Sequence, residues 1–190
     1  LSKKLFKGSA MLNPLPVVLV TSKKGDFVNV FTVAWAGIVC SQPPMLSISI
    51  RPERLSYDLI KESKEFVVNI PSGNMAKIVD FCGVKSGRDV DKINYFNLDL
   101  DQGSNVNVPS ISQCPINLEC SVKEIIHLGS HDMFLANIKG VKVDESLIDA
   151  KGKIHFEKAH LLSYSHGEYY TLPEKTQGKF GFSIQKKKKR

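Results

Sequence analysis

Four cysteines are scattered through this chain of 190 residues, at positions 40, 82, 114 and 120, and no Cys-x-x-Cys occurs. His127, His155, His160 and His166 form no ligand-like set with them, so no metal site is expected. There is no Gly-x-Gly-x-x-Gly, no P-loop and no Gly-x-Ser-x-Gly. A resident dinucleotide domain, a nucleotide triphosphatase and a serine-elbow hydrolase all lose support on that ground. Long apolar runs are missing as well. The one near the start, Leu15 to Val20, spans about six residues after Asn13-Pro14, too short and wrongly flanked for a signal sequence or a membrane span. These absences give the expectation of a cytoplasmic chain with reduced, mostly buried thiols and no membrane partner.

One sign of charge is in excess, but at one end. Lys and Arg number 26 against 19 Asp and Glu, a formal +7; Lys186, Lys187, Lys188, Lys189 and Arg190 supply five of those charges and leave the body at +2. A nucleic-acid reader spreads basic residues over a folded face with aromatics between them. Here the run is a solvated tail, and no nucleic-acid partner is expected. The length suits a single domain, 1–185, with 186–190 as a basic tail.

What is present reads mostly as strands. Residues 15–21 are β-rich and close on the hairpin turn Lys23-Lys24-Gly25-Asp26. Residues 27–35 alternate, with Phe27, Asn29, Phe31, Val33 and Trp35 on one face and Val28, Val30, Thr32 and Ala34 on the other. Both faces are largely apolar, the pattern of a strand covered on two sides. Residues 45–51 set Met45, Ser47, Ser49 and Arg51 against Leu46, Ile48 and Ile50. Helices are expected over 54–63, opened near Pro52, and over 73–83, ended by Gly83. A strand at 65–70 separates them, 99–109 is loop-like, and strands return at 116–128, 131–143 and 158–165. Such an order fits a mainly β, antiparallel barrel with two inserted helices. A doubly wound parallel sheet would need strands and helices in alternation.

Arg51, Arg54 and Ser56 stand where a strand runs into a helix. Free backbone N–H groups and the macrodipole favour an anion there, and an arginine fork adds charge-assisted bonds to a phosphate. The same residues also suit a surface Arg pair with a helix-opening serine. Thr32-Val33-Ala34-Trp35 ends a strand beside Gly37, so its backbone can meet the polar rim of a planar ligand while Trp35, the single tryptophan, covers a face. Plain core packing of Trp35 is the alternative. An anion site beside a flat apolar slot is what a phosphorylated aromatic cofactor needs.

The stretch from Asn29 to Pro71, NVFTVAWAGIVCSQPPMLSISIRPERLSYDLIKESKEFVVNIP, carries a wider likeness. With Cys-Gly-x-x-Ser-Gly-x-x-x-Asp-Lys from Cys82 to Lys92 and Gly129-Ser130-His131, it resembles the flavin reductase-like, FMN-binding split-barrel family, especially its flavoredoxin branch. The resemblance runs from about Leu12 to Ser183. It implies a Greek-key split β-barrel, a homodimer, and FMN bound near the subunit interface.

By that resemblance, Arg51 and Ser56 hold the FMN phosphate, and Asn29, Thr32, Val33, Ala34, Trp35, Ser49 and Ile50 lie along the flavin. Tyr164 is an aromatic near the cofactor. Lys92 falls by the pyrimidine end, where positive charge stabilises the reduced ring, and His131 falls beside the flavin; these two are the candidate catalytic groups. The family's Gly-Asp-His reads Gly-Ser-His here, with Asp132 one place later, so the acidic neighbour of the histidine is shifted or lost. The implied function is an FMN-binding oxidoreductase. It would pass electrons from NADH or NADPH, docked transiently, to a flavin, a small molecule or a redox protein acceptor. A flavoredoxin-type carrier without substrate turnover is one alternative, and a non-catalytic barrel for another ligand is a second.

Overall fold

The computed structural model describes residues 1–184, so the tail expected at 186–190 and the domain boundary at 185 lie outside the described residues. Among the described residues, twelve strands, three α-helices and four short 3-10 segments make up the regular structure. In chain order the strands and α-helices are β1 (Leu15–Pro16), β2 (Val18–Lys24), β3 (Phe27–Val33), β4 (Ala36–Ser41), β5 (Pro44–Ile50), α1 (Leu55–Ser63), β6 (Glu65–Ile70) and α2 (Ala76–Val84). Then follow α3 (Lys92–Tyr95), β7 (Leu100–Asp101), β8 (Ser110–Ile111), β9 (Ile116–His127), β10 (Asp132–Val143), β11 (Leu162–Ser165) and β12 (Glu168–Thr171). The expectation of a mainly β chain with two helices after the central hairpins is met. No helix among the described residues is long and apolar enough to cross a membrane.

Seven strands form one antiparallel sheet in the order β3-β2-β6-β9-β10-β5-β4. The sheet curls: only Ala34 and Trp35 separate β3 from β4, the two ends of the strand order, and the Ser49 N–H on β5 donates to the Trp35 carbonyl at 2.9 Å, carrying the β4–β5 ladder toward β3. β3 and β5, far apart in sheet order, therefore meet at one seam. A second sheet, β1-β11-β12, stands beside that seam, and β7 pairs with β8.

The two apolar faces of residues 27–35 find two cores. Phe31 and Val33 point into the barrel with Val18, Val20, Ile48, Ile50, Phe66 and Phe134. Val30 turns outward and packs with Leu19, Met75, Val79 and Leu162 under α2. Thr32 locks that cover by donating to the Val79 carbonyl. Burying side chains on both faces of one strand is the largest favourable contribution available to a sheet of this kind.

Two buried polar groups fasten the bottom of the sheet. Asn69 donates to the Leu19 carbonyl and accepts from the Ile111 N–H and the Asn117 amide. Glu119, also buried, accepts from the Ser104 and Asn105 N–H groups, each at 2.7 Å, and so holds the 102–108 loop against β9. Three of the four cysteines are buried as well, and Cys40 on β4 is half-buried. Burial pushes the Cys82 thiol up to about 11 and the Cys114 and Cys120 thiols up to about 12, with the Glu119 charge adding to the last.

Several expected boundaries move. The strand drawn over 158–165 is a strand only over Leu162–Ser165; Phe156–Ala159 is a 3-10 turn and His160 is left-handed, at φ +47°. His155, bonded to both Asp149 and Glu157, ties that turn to the preceding loop and prevents extension. Gly83 does not end α2, which runs to Val84 with an extended Lys85 behind it. β4 is an addition the alternation did not reveal, since Gly37 interrupts it and its apolar residues Ile38 and Val39 are exposed.

Candidate functional site

At the seam, the end of β3, the end of β5, the start of β10 and the β11–β12 hairpin surround a cleft of about 400 Å³. That volume lies in the ordinary range for a small-molecule site. Its walls include Thr32, Val33, Ala34 and Trp35 on one side and Ser49, Ile50 and Arg51 on the other. His131 and Tyr164 also line it. A much narrower cleft continues from it past Phe31, Thr32, Arg54 and Gly83, residues common to both, to Asn29, Ser56, Ser86, Gly87 and Lys92.

Every residue anticipated from the sequence thus lines one of these joined clefts, but the grouping differs. Arg51 and Ser56 do not share a wall. Arg51 stands in the broad cleft near His131, 51% exposed and 3.6 Å from Glu53, whereas Ser56 is inside the narrow one. Arg54 spans the two. Lys92, which the resemblance sets by the pyrimidine end of the flavin, lies in the narrow cleft with Ser56 and Arg54 rather than in the broad one with His131. The cause is local. Asp91 caps α3 by accepting from the Asn94 N–H, and the first residue of the helix, Lys92, then points under the end of α2 and donates to the Lys85 carbonyl at 2.9 Å. A cation at a helix C-terminus is favoured by the macrodipole.

The narrow cleft has the chemistry of an anion site. Ser56 is 1% exposed, and its hydroxyl oxygen accepts from Asn29 at 2.8 Å and from Ser22 at 3.1 Å. A hydroxyl with both lone pairs engaged has its own proton left to donate. Lys92 is 3% exposed and its nitrogen has only a carbonyl partner; no carboxylate among the described residues pairs with it. Burial lowers its pKa, the neighbouring Cys82 thiol opposes that, and the Arg54 charge lowers it further. A buried ammonium beside a guanidinium, without a counter-ion, is costly until an anion joins it. Gly87 completes the cradle: a Cβ there would stand 2.0 Å from the Asn29 amide oxygen, so the backbone comes as close as it can.

The broad cleft is different in character. Trp35 is 39% exposed, which excludes plain core packing; it also borders an adjoining apolar hollow with Ala10, Leu12 and Leu15. His131 has its Nδ1 3.0 Å from the Ser130 hydroxyl. Burial and then the Arg51 charge lower its pKa below the ordinary histidine value, with Glu53 opposing, which favours the uncharged imidazole. The shifted acid does not serve it. Asp132 faces the other side of the strand and binds Tyr57 and His127.

Sequence reasoning missed Asp80 and Tyr169, which line the broad cleft and bond to each other at 3.1 Å. Asp80 comes from the outer face of α2 and Tyr169 from β12, and no local pattern links them.

A model of the family described as "Flavin reductase like domain" matches residues 11–173. An uncharacterised protein of Pyrococcus abyssi is 30% identical over 170 residues, covering 90% of this chain and 97% of that protein. The fold superposes on the flavoredoxin of Desulfovibrio vulgaris (Miyazaki F) with a TM-score of 0.88 at 30% identity, covering 96% of this chain and 100% of the other. For the flavoredoxin of Methanosarcina acetivorans the TM-score is 0.85 at 26% identity, with coverage of 97% and 100%. On sequence and on the curled seven-stranded sheet alike, the chain belongs to the flavin reductase-like family and has its split-barrel fold.

Proposed function

We propose that the joined clefts bind FMN and that the protein is an oxidoreductase. It takes electrons from NADH or NADPH, docked transiently, and delivers them to a flavin, a small molecule or a redox protein. The observation that carries this reading is the buried Lys92 without a counter-ion, next to Arg54 and the free proton of Ser56, at the end of a flat slot. A phosphomonoester on a planar heterocycle matches both parts. The flavoredoxin likeness supports the same assignment.

Arg54, Ser56 and Lys92 hold the phosphate, and Gly87 lets the backbone approach it. The strand ends 32–35 and 49–51 offer peptide groups to the rim of the ring, while Trp35 and Tyr164 exclude water from its surroundings. Arg51 and a neutral His131 set the electrostatics at the other end: the guanidinium favours added negative charge, and the imidazole supplies a hydrogen bond without storing a proton. When bound, FMN supplies the hydride and single-electron chemistry that none of these side chains has. A second copy of the chain is the proposed cover for the exposed Trp35, just before β4, and for Ile38 and Val39 on it.

Mass spectrometry of the cofactor released from the purified protein tests the reading. FMN is expected; FAD at full occupancy, or no flavin after reconstitution, refutes it. The carrier alternative is favoured by one observation, the missing acid beside His131. Anaerobic mixing with millimolar NADH or NADPH separates the two: bleaching of the flavin marks a reductase, and reduction by dithionite alone marks a carrier.

A further inference from the structure

Asp132 opens β10, one residue after His131, and alternation along the strand turns its side chain away from the cleft into the protein, where it is 4% exposed. One of its carboxylate oxygens receives two hydrogen bonds. The Tyr57 hydroxyl donates at 2.6 Å and the His127 ring nitrogen Nδ1 at 2.8 Å. Those partners come from two other elements. Tyr57 is in the first turn of α1, next to Ser56, with its ring edge-on to Phe134 at 5.3 Å and the Lys61 ammonium over its face. His127 closes β9 opposite Asp132.

The turn between His127 and Asp132 has few other restraints. Gly129 has φ +119°, a value few other residues adopt, and the Leu128 N–H reaches the His131 carbonyl at 3.2 Å. Among the described residues, the Tyr57–Asp132 bond is the side-chain hydrogen bond that links the end of this turn to the helix. The two ends of the joined clefts hang on it: His131 precedes it in the chain, and Ser56 precedes its partner Tyr57.

We propose that Asp132 is a positioning residue for the site, its buried carboxylate holding the first turn of α1 and the 128–131 turn in one frame, so that the anion cradle and His131 keep a fixed separation. This rests on the FMN reading for its ligand, but the frame itself exists without one. Tyr57 is the second positioning residue. Its hydroxyl contributes through the tie, and its ring contributes to the core.

The test uses Tyr57→Phe, which keeps the ring and removes only the hydroxyl, together with Asp132→Asn, which keeps one acceptor oxygen. Flavin fluorescence quenching gives affinity for FMN and for riboflavin, and NMR follows the His131 ring signals in the protein without added flavin. Losing a hydrogen bond to a charged group at the base of α1 should weaken FMN about tenfold in Tyr57→Phe and riboflavin much less. The His131 signals should move or broaden, and Asp132→Asn should lie between the parent and Tyr57→Phe. A lower melting temperature with an unchanged FMN-to-riboflavin ratio and unmoved His131 signals would make the network merely structural and overturn the proposal. If the parent binds no flavin, the FMN reading fails by itself. The His131 signals then decide the tie, supported if they move in Tyr57→Phe and refuted if they stay.

Discussion

Replacing Gly87 with alanine tests the cradle where it is tightest. The new Cβ would meet the Asn29 amide oxygen at 2.0 Å, its carbon at 2.8 Å and the Leu55 side chain at 3.0 Å. Asn29 is buried and cannot swing away without giving up its bond to Ser56. Overpacking of this kind costs about 1–3 kcal/mol, and the lost amide–hydroxyl bond adds about 0.5–1.5 kcal/mol. Against this, alanine restricts the unfolded chain and returns about 0.4–1 kcal/mol. The net loss is about 0.5–4 kcal/mol, or roughly 1–16 °C in melting temperature for a chain of this size. Gly83, four residues earlier in the chain and lining the same narrow cleft, supplies the contrast. Its added Cβ would sit 3.4 Å from the Thr32 Cβ, an ordinary contact inside α2. Gly83→Ala should therefore be neutral or gain up to about 1 kcal/mol. Differential scanning calorimetry of the two variants, with FMN titrations beside it, reads both. A Gly87→Ala protein that melts within a degree of the parent and binds FMN equally well would show that the cradle is not closed by Asn29.

Arg54→Ala should weaken FMN roughly ten- to hundredfold by removing a charge-assisted bond while changing riboflavin affinity little; equal losses in fluorescence titrations would move the phosphate elsewhere. Lys92→Ala should follow the same pattern rather than shift the flavin potential, a difference that redox titration of the bound flavin resolves. Burial pushes the Glu119 carboxyl up, but the bonds from Ser104 and Asn105 and the Lys142 charge outweigh it, and its folded pKa falls below the ordinary 4.5. Its stabilisation is therefore full above that value and lost as pH falls through the lower folded value. Glu119→Gln should melt earlier at neutral pH and lose less of its stability on acidification, as thermal melts across the acid range will show. Light scattering should give twice the chain mass of 21.1 kDa, and a monomer that keeps FMN would contradict the proposed cover over β4.

The barrel was legible because its central strands advertise two faces. Phe31 and Val33 against Val30 and Thr32 demand apolar cover on both sides, and a curled sheet with α2 outside provides it. Ser49 and Arg51 were legible for the opposite reason, as polar residues alternating with Leu46, Ile48 and Ile50. The edge strand β4 was not, since edge residues answer to what covers them and alternation weakens there. The surroundings of Lys92 were not legible, because its direction depends on a single turn of helix capped by Asp91, below the length at which periodicity carries information. The fate of Asp132 was hidden for a related reason. A one-residue offset in a strand turns a side chain to the opposite face, and the change from Gly-Asp-His to Gly-Ser-His-Asp reads as a minor shuffle in a string of letters.

The cysteine distribution has a practical side. With Cys82, Cys114 and Cys120 buried and held protonated at neutral pH, a thiol-selective reagent added to the folded protein meets Cys40 alone. That sulfur lies on β4, five residues beyond Trp35, at the edge of the seven-stranded sheet. A single fluorophore or spin label can thus be attached to the native sequence, without mutagenesis, on the edge strand that the proposed second copy would cover. Its rate of attachment then becomes a clock for how often that edge is uncovered, read on a protein that has not been altered anywhere else.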